Sequence, residues 1–291
     1  MSPSTADFKK GRFMTQTTLA YLNDLISFYT PYESYFDKAR THRAGIEGKL
    51  DASLGVKEMF ETGSLKHGTG VWLYSDVDYI ASLKGVRPTA TTALNKVRDA
   101  LKEKYPTTSI RVARPAVVCA FASGAETVEV VPAFDDATNG GYWIPDPKSS
   151  DWMKTYPKDH NAYVNDVNRK HSGAAKKLAR LAKVWKYKRN VPVSSCYLEM
   201  RAAKYVDGES YWSLPLDLYS YFKYLANIDL AAMNDPTGLG ARFTACSSPT
   251  NHTNAISKLE TAVGRAEKAR DFYLKEQHDK AIEQWKLVFD Q

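Results

Sequence analysis

Between Glu61 and Leu83 the chain reads ETGSLKHGTGVWLYSDVDYIASL, with Asp76 and Asp78 one residue apart in a run of Val, Tyr and Ile that has the composition of a β-strand. In an extended segment residues two apart point to the same face, so both carboxylates project together. Two such charges repel, and a hard divalent cation bound through oxygen ligands is the counter-charge that lets both stay ionised. Solvated carboxylates on an exposed strand edge are the competing reading, and the pair alone does not choose between them.

The turn before the strand does. In GSLKHGT, Gly63 lets backbone approach a phosphate, while Ser64 and Thr69 offer hydroxyls within a turn that can aim N–H groups at an anion. A phosphate-binding turn followed closely by a metal-binding strand is the pairing that nucleotidyl transfer requires. A two-metal reaction also needs a further carboxylate. Glu129 is the candidate, a charge flanked by Val128, Val130 and Val131 in the strand-like TVEVVPAF. Without the upstream motif it would read as an outward residue on an alternating strand. Lys66 and His67 receive no catalytic role, because two-metal phosphoryl transfer makes its nucleophile without histidine.

At 291 residues, 43% apolar and 25% charged, the chain can bury a substantial interior without a disulfide or metal staple. Cys119, Cys196 and Cys246 are far apart and match no zinc spacing, so they read as reduced and partly buried. No run of eighteen apolar residues occurs, and MSPSTADFKKGRF lacks the apolar centre of a secretory signal, so a soluble, cytoplasmic protein is expected. The formal charge of +7 points to a polyanionic partner without naming it.

Helical spacing predicts two N-terminal helices broken near Pro31, and a further helix over TTALNKVRDALKEKY. Strands are expected at VWLYSDVDYIASL, SIRVARPAVVCAFA and TVEVVPAF. From Tyr163 onward helical patterns dominate. The segment NGGYWIPDPKSSDWMKTYPKDHN, rich in Gly, Pro and Asp, reads as a loop at the boundary. The expected fold class is α+β, with residues 1–160 a mixed catalytic core and residues 161–291 a helical lobe closing over the nucleotide site. Tyr74, Tyr79, Tyr142, Tyr197 and Tyr211 are candidates to stack on a base, although core packing is the commoner use of each.

GSLKHGT, SDVDYIASL and VEVVPAF together resemble the signature of the DNA polymerase beta-like nucleotidyltransferases. Within them the chain looks most like the CD-NTases, bacterial relatives of cyclic GMP-AMP synthase and oligoadenylate synthase. KKLARLAKVWK is similar to that family's LIRLxKxW helix, SSCYLEM to its SYxLE segment, and SPTNHTNAI more loosely to its DPxNPxNN segment. The resemblance runs from about Arg43 to Ile256. It departs at Glu129, where Asp is commoner, and at Ser247 and Ser248, where Asp is frequent.

The resemblance implies a polymerase beta-like core with a C-terminal helical lobe. It implies that Asp76, Asp78 and Glu129 hold two Mg²⁺ ions, for which Mn²⁺ can substitute. It places Gly63, Ser64, Arg180, Lys183 and Ser195 around the triphosphate. The implied activity joins nucleoside triphosphates into a cyclic di- or trinucleotide that reaches a downstream effector in antiphage signalling, with no membrane partner and no required nucleic acid. Transfer to a tRNA or a protein, and an inactive nucleotide sensor of the same fold, are the alternatives.

Overall fold

The computed structural model describes residues 16–124 and 126–291. The MSPSTADFKKGRF segment lies outside them. Helix α1 (Thr18–Phe28) starts where the Thr17 side chain accepts from the Ala20 N–H, and α2 (Glu33–Leu54) follows after Pro31. The two helices expected there are present. Strand β1 (Val56–Thr62) comes next, then the short helix α3 (Gly63–Lys66) and β2 (Val77–Leu83). Helix α4 (Ala90–Lys104), capped by Thr89, leads to β3 (Ser109–Ala113), β4 (Ala116–Phe121) and β5 (Glu126–Asp135).

These five strands lie side by side in the order β1-β2-β5-β4-β3. Only β2 and β5 are parallel; the other neighbours are antiparallel. Alternation gives the sheet two different faces. Val77, Tyr79, Ala81, Val128 and Val130 point into a core closed by Ile46 and Leu50 of α2 and by Leu94, Val97 and Leu101 of α4. Asp78, Ile80, Glu129 and Val131 therefore take the other face, which α2 and α4 leave open.

The C-terminal helices are α5 (Pro157–Lys170), α6 (Ala174–Lys188), α7 (Ser195–Asp207), α8 (Leu214–Asn227), α9 (Pro249–Leu274) and α10 (His278–Phe289). Trp185, Tyr221, Phe222, Trp285 and Phe289 fill their shared core. Helix α1 joins this cluster through Tyr21, Leu22, Leu25 and Ile26, so the first helix among the described residues packs with the last ones. Among the described residues no helix is long and apolar enough to cross a membrane.

The structure corrects several expected boundaries. Strand β1 was not expected, because VKEMFET is half-exposed and mixes charge into its alternation. SIRVARPAVVCAFA is a hairpin of two antiparallel strands that meet at Ala113 and Ala116, on either side of Arg114 and Pro115. The boundary segment is not a loop: β6 (Tyr142–Pro145) and β7 (Trp152–Thr155) pair with each other, and β6 also pairs with β5. Each has only four residues, too few to show a period among the surrounding Gly, Pro and Asp. The pattern beginning at VNDVNRKHSGAA is two helices, broken where Ser172 and Gly173 both take positive φ.

Candidate functional site

Strand register brings the acids together. Asp78 of β2 stands opposite Thr62 of β1 and opposite Glu129 of β5, so Glu129 arrives beside Asp78 through the parallel pairing. Asp76 lies just before β2 rather than in it, yet ligand oxygens of Asp76, Asp78 and Glu129 all fall within 4.8 Å of one another. Burial, then the Asp76 charge and a hydrogen bond to Asp76, pushes Glu129 up to about 7. Asp78 is raised well above the ordinary carboxylate range, first by burial and then by the charges of Asp76, Glu129 and Glu199. Asp78 and Glu129 therefore hold their protons more tightly until an opposite charge arrives, and an all-oxygen donor set fits a hard divalent cation.

Gly63 makes that arrangement possible. Its φ is +67°, and a Cβ there would sit 1.9 Å from Asp78 Oδ2. The turn and the carboxylate occupy the same space unless residue 63 has no side chain. Ser64 follows at the cleft and donates to Ser75 Oγ at 3.1 Å, and Ser75 Oγ accepts from the Val71 N–H at 2.8 Å.

Helices α6 and α7 bring the basic groups. Lys183 is fully buried, with its Nζ 2.5 Å from Glu199 Oε1. Thr69 Oγ1 donates to the same oxygen at 2.7 Å, and His67 Nδ1 lies 2.9 Å from Glu199 Oε2. Glu199 thus joins the Gly-Ser turn to both helices. Burial would raise its pKa, but the Lys183 charge and the His67 hydrogen bond hold it well below the usual carboxylate range.

Arg180 lies behind the turn, where it donates to the carbonyls of Gly70 at 2.9 Å and Gly68 at 2.7 Å. Ser195 lines the cleft and accepts from Lys186 Nζ at 2.6 Å. Burial and the neighbouring Lys183 charge push Lys186 down to about 8.

The cleft between these groups has a volume of about 410 Å³. Gly63, Ser64, Asp76, Asp78, Lys183 and Ser195 line it together, whereas Arg180 is not among its lining residues. Tyr74 stacks on Tyr187 at its edge, with ring centroids 4.7 Å apart and planes 5° from parallel. Of the other tyrosines, Tyr79 and Tyr197 are core residues, Tyr142 bonds Glu58, and Tyr211 is exposed. The SPTNHTNAI segment forms the start of α9, where Ser248 accepts from the Asn251 N–H, away from the cleft lining.

Glu199, Lys186 and Tyr187 were not singled out from the sequence. The signal for Glu199 was a carboxylate inside the otherwise apolar SSCYLEM; Lys186 falls three residues after Lys183 on the same helix. Cys196 is exposed to the cleft rather than partly buried.

Residues 17–168 match the Second Messenger Oligonucleotide or Dinucleotide Synthetase domain. A cyclic AMP-AMP-AMP synthase from Acinetobacter sp. (strain ATCC 27244 / 9458) is 28% identical over 186 residues, which are 60% of this chain and 53% of that protein. The matched region thus spans about half the length of that curated relative. CdnC of E. coli MS115-1, solved with ATP, superposes with a TM-score of 0.76 at 18% identity, covering 94% of this chain and 98% of that one. CdnG of Bradyrhizobium diazoefficiens, a CD-NTase solved with GTP, gives a TM-score of 0.72 at 14% identity, covering 94% and 98%.

Proposed function

The chain belongs to the Second Messenger Oligonucleotide or Dinucleotide Synthetase family, the CD-NTase branch of the polymerase beta-like nucleotidyltransferases, and from that premise we propose that it joins nucleoside triphosphates into a cyclic di- or trinucleotide and releases pyrophosphate. The observation that carries this reading is the meeting of Asp76, Asp78 and Glu129 under the Gly63–Ser64 turn, at a cleft that also holds Lys183. The three carboxylates would hold divalent cations, Mg²⁺ with Mn²⁺ as substitute. Bound there, such ions lower the pKa of an attacking hydroxyl and neutralise the leaving pyrophosphate.

The chain's own groups do the rest. Ser64, Lys183, Lys186 and Ser195 bind and orient the triphosphate so that a ribose hydroxyl of a second nucleotide lies in line with the α-phosphorus. The hydroxyl oxygen forms a bond to phosphorus as the bond to the β-phosphate oxygen breaks, and the hydroxyl proton leaves to solvent. A further round closes the ring. The sheet with α2 and α4 serves as the catalytic core, and helices α5 to α10 serve as the lobe over the nucleotide, with α1 packed in that lobe rather than in the core as its place before residue 160 would suggest. In this role Arg180 supports the phosphate turn from behind rather than touching phosphate. The related synthase makes cyclic AMP-AMP-AMP, and CdnC was solved with ATP, which supports adenine nucleotides as substrates. The product then acts as a diffusible antiphage signal on an effector.

The test is incubation of purified protein with all four labelled triphosphates and Mg²⁺ or Mn²⁺, followed by phosphatase and mass spectrometry, beside an Asp76→Asn/Asp78→Asn control. A phosphatase-resistant product lost in the control is expected, and its mass names the bases and ring size. Label appearing on added total RNA instead, with no cyclic product, would replace this reading with transfer to a tRNA.

A further inference from the structure

Away from the acids the cleft wall becomes apolar. Ile80 and Val131 pair in register one alternation beyond Asp78 and Glu129, and Ile144 and Pro157 continue the lining. Two residues along a strand span about 7 Å. A nucleotide with its phosphates at the acids lays its sugar and base along this wall.

An imidazole stands in the wall. His160, on α5, is 8% exposed and lines the cleft, and the edge of Phe243 packs against it with centroids 5.2 Å apart. Its Nε2 lies 2.8 Å from Oδ2 of Asp235, which is also buried. Asp235 accepts three more hydrogen bonds, from the Gly240 N–H at 2.7 Å, the Thr237 N–H at 2.9 Å and Thr237 Oγ1 at 2.8 Å. A Cβ on Gly240 would sit 2.4 Å from Asp235 Oδ2, so the loop is shaped around that carboxylate.

An ionised carboxylate only accepts, so Nε2 carries a proton, and whenever the ring is neutral Nδ1 is a bare acceptor. Nδ1 has no hydrogen-bond partner among the described residues, and unlike Nε2 of His67 it is not sealed inside the protein. Of the two ring nitrogens, Nδ1 is therefore the one left free for a ligand in the cleft that His160 lines.

We propose that His160 reads the nucleobase: held in one tautomer by Asp235, its Nδ1 accepts a hydrogen bond from an exocyclic amino group. The contact then favours the 6-amino group of adenine or the 4-amino group of cytosine over the carbonyl oxygen that guanine or uracil carries at the same ring position, because two acceptors face to face leave both unpaired. The inference rests on the nucleotidyl-transfer reading above.

The test deletes the contact from both sides. Non-transferable α,β-methylene analogues of ATP, purine riboside triphosphate, CTP and UTP are titrated calorimetrically with Mg²⁺ at about pH 9, well above the ordinary imidazole range. Purine riboside differs from adenosine only in lacking the amino group. The wild-type protein is expected to bind the ATP analogue about tenfold more tightly than the purine riboside analogue, the scale of one hydrogen bond. His160→Phe, which keeps the ring but not the acceptor, should bind the two equally. Discrimination of CTP from UTP instead would assign the contact to cytosine. The proposal is overturned if the wild-type protein distinguishes neither pair, a result that needs no variant to fold, or if His160→Phe keeps the preference. If none of the four binds, the nucleotidyl-transfer reading itself fails.

Discussion

At the scale of single residues, the site depends on side chains that are absent as much as on those present. Gly63 has left-handed backbone and no room for a Cβ beside Asp78. Gly63→Ala must therefore either move the Asp78 carboxylate or shift the turn that carries Ser64. Backbone strain of this kind costs about 1–3 kcal/mol, which a protein of this size survives. Misplacing a reacting group by about 1 Å costs roughly a hundredfold in rate. The expected result is a folded variant, slightly lower in Tm, with synthesis reduced about a hundredfold or more. A Gly63→Ala protein that makes product at the wild-type rate would show that the turn and Asp78 are not jointly required.

Among the elements, the join between the Gly-Ser turn and helices α6 and α7 rests on one buried carboxylate. Glu199 is 3% exposed and Lys183 0%, with His67 and Thr69 on the same carboxylate. Removing one member of a buried pair leaves the other charge unpaired at a cost of about 3–5 kcal/mol. Glu199→Ala should lower stability by that amount in chemical denaturation, and Lys183→Met/Glu199→Leu should recover most of it while remaining inactive. Recovery of activity in the double variant would remove Lys183 from the phosphate site.

This join also marks what the sequence reveals and what it hides. The acids and the Gly-Ser turn sit in short motifs whose spacing carries their chemistry, whereas Lys183 was indicated by the resemblance of its helix to a known family. Glu129 was reachable because a charge among valines needs a reason. Glu199 and Asp235 act across long sequence separations, as buried partners of a lysine and a histidine, and periodicity says nothing about such partners. The four-residue strands β6 and β7 were hidden because tertiary pairing, not local pattern, makes them strands.

For the whole molecule, the clustered acids tie folding to pH and to cation binding. Burial and the Asp76 charge raise Glu129 from the ordinary 4.5 to about 7 in the fold, and Asp78 also moves upward. A carboxyl with a raised folded-state pKa favours the folded state fully below its unfolded value, and that contribution is lost as pH climbs through the folded value. The metal-free protein should therefore lose stability between about pH 4.5 and pH 7 through this cluster. A divalent cation needs the same oxygens deprotonated and supplies the charge they lack, so its binding releases protons. The rise in Tm on adding Mg²⁺ should be small near pH 5, grow through neutrality and level off by about pH 8, once the Glu129 proton is gone. Thermal scans with Mg²⁺ and with EDTA across that range measure this directly. Asp76→Asn/Asp78→Asn should flatten the dependence, because two of the three carboxylate charges are lost and Glu129 no longer faces a negative neighbour. A Mg²⁺-induced rise of equal size at every pH, or one that survives in the double variant, would place the cation somewhere other than on these three acids.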